Sequence, residues 1–156
     1  MSQIRPEDGP GRPVLSYDGQ HRVAERREQL YQVMSRLEAA AARPTGSPDW
    51  RSGVEAALED LDEALRQHVE QVEGEGGLFE DVHWQAPHLD HQIETLREEH
   101  EELLAASRWA LRMVDEWEPA VLRRRVNGLL ARLAVHRQTG AELLYDAYSL
   151  DLGGLD

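Results

Sequence analysis

Apolar residues recur along most of this chain at alternating spacings of three and four, the rhythm of helices that bury one face. The first such segment runs from about Gly19 to Ala42 with a stripe at Val23, Leu30, Met34 and Leu37, and the run from Arg43 to Pro48, with two prolines and Gly46, ends it. A second begins near Asp49, which with Ser47 is a candidate N-cap, and carries Val54, Leu58, Leu61, Leu65, His68 and Val72 before closing at Glu73. Gly74, Gly76 and Gly77, then Leu78-Phe79 and Pro87, separate it from a third helix, expected from about His88 to Glu116. That helix repeats the rhythm at Leu89, Ile93, Leu96, His100, Leu103, Ser107, Ala110 and Val114. A fourth starts near Glu118-Pro119 and continues through Leu122, Val126, Leu129, Leu133, His136, Gly140, Leu143 and Ala147.

No alternating strand pattern competes with these four segments, and the short connections after the first and third helices imply antiparallel neighbours. The expected fold is all-α: one antiparallel, up-down-up-down four-helix bundle over residues 18–150, between an N-terminal tail (1–17) rich in Pro and Gly and a C-terminal tail (151–156). A chain of 156 residues suffices for one core that buries roughly two-thirds of the unfolded surface.

Composition narrows the chemistry. A formal charge of -13 opposes nucleic-acid phosphates and anionic membranes. With no Cys in the chain, thiolate nucleophiles and disulfides are excluded, and His, Asp and Glu are the metal ligands that remain. No apolar run approaches the roughly twenty residues of a membrane span, and Met1 to Pro13 lacks a secretory apolar core, so a cytoplasmic protein is expected. The glycines at 74–77 neither follow a strand nor carry the Lys-Ser/Thr of a phosphate-binding loop.

Three histidines, His68, His100 and His136, fall on the inward stripes of separate helices. His68 lies about eighteen residues into the second helix, His100 about sixteen before the end of the third and His136 about seventeen beyond Pro119, heights that agree within roughly one turn at about 1.5 Å per residue. One inward His is ordinarily satisfied by a neighbouring Glu or a water. Three that face one another need several partners or a shared cation, since an unpaired buried polar group costs roughly 1–3 kcal/mol.

The carboxylates nearest in sequence are Glu73, five residues after His68, and Glu142, six after His136. A regular helix rotates both spacings off the histidine face, so a ligand role requires a local widening, for which Gly74 and Gly140 are suitably placed; otherwise both face solvent. His21 is the candidate on the first helix, although it lies about 160° from Val23 around the helix axis. His83, His88 and His91 with Asp81 and Asp90 read as a solvated cluster, and Arg123-Arg124-Arg125 as a solvated face. Tyr145 and Tyr148 are expected to pack at a bundle end or to offer a hydroxyl near the site.

The run His68-Val-Glu-Gln-Val-Glu73-Gly-Glu-Gly-Gly-Leu-Phe79, with Leu96-Arg-Glu-Glu-His100 and His136-Arg-Gln-Thr-Gly-Ala-Glu142-Leu-Leu-Tyr145, resembles the hemerythrin-like, or HHE cation-binding, domains over about residues 50 to 150. The resemblance implies a four-helix bundle with a non-heme di-iron centre, ligated by His68, Glu73, His100, His136 and Glu142, with His21 as the first helix's contribution. This chain departs from the family pattern in the longer His-to-acid spacings and in Leu104, which stands where a second histidine of the third helix is often found. Five or six ligands are lean for two irons, so one iron or an empty site also fits. The implied activity is binding or sensing of dioxygen, a related small oxidant or iron. An oxidase- or peroxidase-type enzyme and a metal-free helical interaction protein with a remnant polar layer are the alternatives.

Overall fold

The computed structural model describes residues 17–152, and every regular element among them is helical. Four long helices, α1 (Tyr17–Ala42), α2 (Trp50–Glu73), α4 (Asp90–Met113) and α5 (Pro119–Leu152), are joined by a short helix α3 (Leu78–Gln85) and a 3-10 turn at Pro87–Leu89. The expected tails fall almost wholly outside the described residues, as does the side chain of Val23; Tyr17 already belongs to α1, and α5 continues to Leu152.

Each long helix packs on two others, α1 on α2 and α5, and α4 on α2 and α5, so that the four close a ring around one axis. The stripes fill that axis. Leu37, Val54, Leu58, Leu61, Leu65, Leu122, Val126 and Leu133 are each fully withdrawn from solvent, and at about 1.5–3 kcal/mol per buried aliphatic side chain this core dominates the favourable energy.

Arginines close one end of the ring. The last carbonyls of a helix have no partner within it. At the end of α1 the guanidinium of Arg123 supplies one, donating from Nε to the Ala41 carbonyl at 2.8 Å and also to that of Arg43. Arg51 donates to the carbonyls of Val114 and, at 2.8 Å, Trp117. Arg123 is therefore half-buried and bound, a correction for that residue of the expected solvated face, of which Arg124 and Arg125 are exposed: a guanidinium carries enough donors to cap a neighbouring helix while lying over the Trp50 ring. α4 stops at Met113, short of the expected Glu116, and Arg51 binds the turn that follows. The chain turns there, with the Trp117 amide bonded to the Met113 carbonyl, and offers two carbonyls to one cation.

Helix α3 was not expected from the sequence. Its eight residues are too few to show a period, yet Leu78, Phe79 and Val82 are buried. Two glycines position it. Gly76 adopts φ +71°, and a Cβ at Gly77 would stand 2.5 Å from the Gln71 carbonyl oxygen and 2.8 Å from that of Val72.

The buried apolar residues form two clusters. The larger joins Leu30–Ala41 of α1 to the first part of α2, the second part of α4 and the first part of α5. The smaller gathers Val72, Leu78, Phe79, Ile93, Leu96 and Leu143 around α3. Between Leu65 and Val72 on α2, Leu96 and Leu103 on α4, and Leu133 and Leu143 on α5, the inward position is a histidine in every case.

Candidate metal centre

That boundary layer is the strongest chemical feature of the molecule. His68 is partly buried, while His100 and His136 are 1% and 5% exposed. Their ring centroids stand 5.3 Å (His68–His100), 6.0 Å (His68–His136) and 4.7 Å (His100–His136) apart. One ring nitrogen from each lies within 4.8 Å of the other two, and no Asp or Glu belongs to that group.

Two of the three rings are held from behind. Nδ1 of His136 donates to Oε2 of Glu99 at 2.7 Å, and Nδ1 of His100 to Oε2 of Glu73 at 3.1 Å. A carboxylate that accepts from Nδ1 fixes the tautomer in which Nε2 carries the lone pair, and it makes that nitrogen a better ligand. Arg97 donates to the other oxygen of Glu73 at 3.2 Å and lies over Phe79, which stacks on His100 at 5.7 Å with the ring planes 12° apart. The short helix α3 thus carries the wall against which the His100 ring rests. His68 makes no hydrogen bond among the described residues.

The electrostatics favour neutral rings. Burial, then the neighbouring imidazoles and Arg97, push His100 down to about 2. Burial, then His136 and Arg27, lower His68 to about 4. Burial raises Glu73, against the pull of Arg97. Neutral imidazole is the form that ligates a metal, so near neutral pH these two rings need lose no proton to do so.

The other residues singled out in the sequence lie elsewhere. α2 is helical up to Glu73 and α5 runs unbroken across Gly140, so neither helix widens. Glu73 consequently reaches His100 across the bundle, on the Nδ1 side of the ring, rather than joining the three ring nitrogens. Glu142, six residues or about 240° beyond His136, is exposed and accepts a hydrogen bond from Gln138 at 3.2 Å. His21 is 64% exposed and pairs with Glu25 at 3.1 Å, on the outer face that its phase assigns to it. Neither is brought to the layer.

Of the cluster around α3, His83 and Asp90 pair at the surface, 2.7 Å apart. Asp81, expected to be solvated, is instead 2% exposed and accepts hydrogen bonds from Gln85 and from the Tyr148 hydroxyl. Burial and that carboxylate raise the Tyr148 pKa. Tyr145 is exposed.

The sequence reading missed Glu99 and Arg27. Glu99 precedes His100 and serves His136 on the neighbouring helix, a pairing that a count along one helix does not reveal. Arg27 lines a cavity of about 40 Å³ together with all three histidines, Phe79 and Leu143. About 10–15 Å³ holds one water, so this cavity admits an ion with one or two ligands of a few atoms.

No known protein family, curated protein or solved structure matches the chain.

Proposed function

We propose that the protein is a hemerythrin-like metal-binding protein: an up-down-up-down four-helix bundle that holds one first-row divalent ion, iron foremost, on His68, His100 and His136 for reversible binding or sensing of a small molecule such as dioxygen. The observation that carries this reading is the convergence of three ring nitrogens from three helices, two of them oriented by carboxylates. The antiparallel topology is supported by the contacts of Arg123 and Arg51, which bring the end of α1, the starts of α2 and α5 and the end of α4 together. A dry structural layer would satisfy its polar groups within itself. Here the hydrogen bonds occupy only Nδ1 of two of the rings, and all three histidines line a cavity.

One ion fits better than two. Paired iron centres in bundles are assembled from several carboxylates projecting inward, and in this chain Glu73 and Glu99 lie behind imidazole rings while Glu142 and His21 lie at the surface. Three neutral nitrogens suit iron, zinc, copper or nickel. An ion held on three side chains keeps coordination positions for small ligands, and when bound it supplies Lewis acidity or, as iron, redox capacity. The cavity, about 40 Å³, has no room for an organic substrate of ordinary size, which favours binding or sensing over oxidation of such a substrate.

Metal content per chain after loading with ferrous iron or zinc, in wild type and in His68→Ala, His100→Ala and His136→Ala, tests the reading. About one ion in wild type and a large loss in each variant are expected; equal metal in all four proteins would overturn it.

A further inference from the structure

Arg27 stands in an unusual place for a cation. It projects from α1 to the wall of the histidine cavity, it is partly buried, and no carboxylate pairs with it among the described residues. Burial, and then its charged neighbour Arg137 of α5, lower its pKa. Arg137 in turn lies 4.6 Å over the Tyr31 ring, and its Nε is buried with no hydrogen-bond partner. Some arginines do pair with acids, as Arg66 with Asp62 and Glu63 and Arg132 with Glu102, but Arg27 and Arg137 are set apart by being partly buried beside one another. In a chain with thirty acidic residues, two neighbouring guanidiniums without an acid among the described residues call for a negative partner from outside.

The rest of the cavity sharpens that need. Its titratable walls are Arg27 and the three histidines, and the remainder is apolar, including Val72, Leu78, Leu96 and Leu144. The carboxylates of Glu73 and Glu99 act from behind the rings. A divalent ion on three neutral imidazoles would therefore share a small apolar space with a guanidinium of like sign, a costly arrangement at low dielectric.

From this arrangement we propose that the cavity binds a small planar monoanion of the carboxylate or oxyanion class, with the size and charge of formate, between Arg27 and the metal position. The anion would offer one oxygen face to the planar guanidinium fork and the other to the ion, neutralising both. A cavity of about 40 Å³ favours the smallest carboxylates, and the absence of further donors in its apolar walls disfavours dianions. The proposal rests on the metal-site reading for its second partner, but Arg27 and Arg137 supply the first without it. Anion and metal are then linked, each raising the affinity for the other by the same factor.

The experiment titrates cobalt(II) into the full chain, at constant ionic strength, with and without formate, following the visible absorption of the ion. Wild type, Arg27→Gln and Arg124→Gln, the last an exposed control, are compared. Formate should tighten cobalt binding to wild type and to the control by about tenfold or more, and leave Arg27→Gln unchanged. Arg27→Gln should itself bind cobalt at least as tightly as formate-free wild type, because a like charge has gone, and that also shows it to be folded. Cobalt binding that ignores formate in wild type, or an enhancement that survives in Arg27→Gln, overturns the anion seat while leaving the metal site intact. If wild type binds no cobalt under either condition, the metal-site reading fails. The anion seat is then decided by formate's effect on the thermal midpoint of the metal-free proteins: a rise in wild type and not in Arg27→Gln supports it, and equal behaviour overturns it.

Discussion

His100→Leu separates the two roles of the histidine layer. In the metal-free protein the substitution should cost little. His100 is 1% exposed and sits among Leu96, Leu103 and Phe79, so a leucine of similar bulk fits its surroundings. The hydrogen bond lost to Glu73 is worth about 1 kcal/mol, and the apolar area gained offsets it by a comparable amount. Glu73 is not orphaned, since Arg97 still donates to it at 3.2 Å. The net change is expected within about 1 kcal/mol. With metal the outcome differs. An ion at a hundred times its dissociation constant stabilises the native state by about 2.7 kcal/mol, which for a chain of this size raises the thermal midpoint by roughly 5–11 °C. His100→Leu removes a ligand and should lose most of that rise. The assay is the thermal midpoint of both proteins in chelator and in excess ferrous iron or zinc, read beside metal content. A variant that keeps the full wild-type rise would show that the ion sits elsewhere. A wild type that gains nothing from any first-row divalent ion would leave the layer a structural one.

Glu99→Ala should weaken metal binding about 10–100-fold by freeing the His136 ring, whereas Glu142→Ala should leave it unchanged; a competition titration against a chelating dye measures both, and equal losses would contradict the geometry. Gly77→Ala should destabilise by about 1–3 kcal/mol in urea unfolding, because its methyl would meet backbone oxygens that cannot turn aside. Gly140→Ala, where a Cβ meets nothing within 4 Å, should instead stabilise α5 by about 0.5–1 kcal/mol. Without metal, His68 and His100 titrate at about 4 and about 2 against about 6.5 unfolded, so below pH 6.5 the unfolded chain takes up more protons and stability falls with pH. From pH 7 to pH 5 the two should cost together up to roughly 4 kcal/mol, opposed in part by the raised Glu73; urea unfolding at the two pH values should show the drop, smaller in His100→Leu, and a flat profile would refute neutral burial.

The long helices were legible because each repeats its apolar spacing over about four to seven turns, and the same spacing placed His68, His100 and His136 inward. What the spacing could not supply was anything depending on a neighbour in space. Helix α3 is too short to carry a period. The role of Glu73 was half visible: five residues is the wrong phase for a ligand on the His68 face, and the carboxylate turns out to serve a histidine 27 residues on in sequence. The doubt about His21 rested on phase, and its pairing with Glu25 on the outer face agrees with that reasoning. Arg123 shows the opposite limit, since a triplet of arginines gives no sign of which one will cap another helix.

The position of the layer bears on why it persists. Ring contacts among these imidazoles contribute little, and replacing such a polar layer by apolar side chains is often neutral or stabilising. The two clusters on either side supply the apolar burial that holds the helices together, so stability alone gives little reason for the histidines. Each ring nevertheless interrupts a mostly apolar stripe at the one level where the others do, and two carry a carboxylate on Nδ1. Places where a chain sets aside its own packing rule, and orients the exception with further residues, are where function is expected. Arg27 obeys the same logic from α1: a cation with no acid paired to it among the described residues, at the only cavity that all three histidines share among those described. Each of the four long helices thus contributes one nitrogen-bearing side chain to the same small space, three suited to a cation and one to the anion that would accompany it.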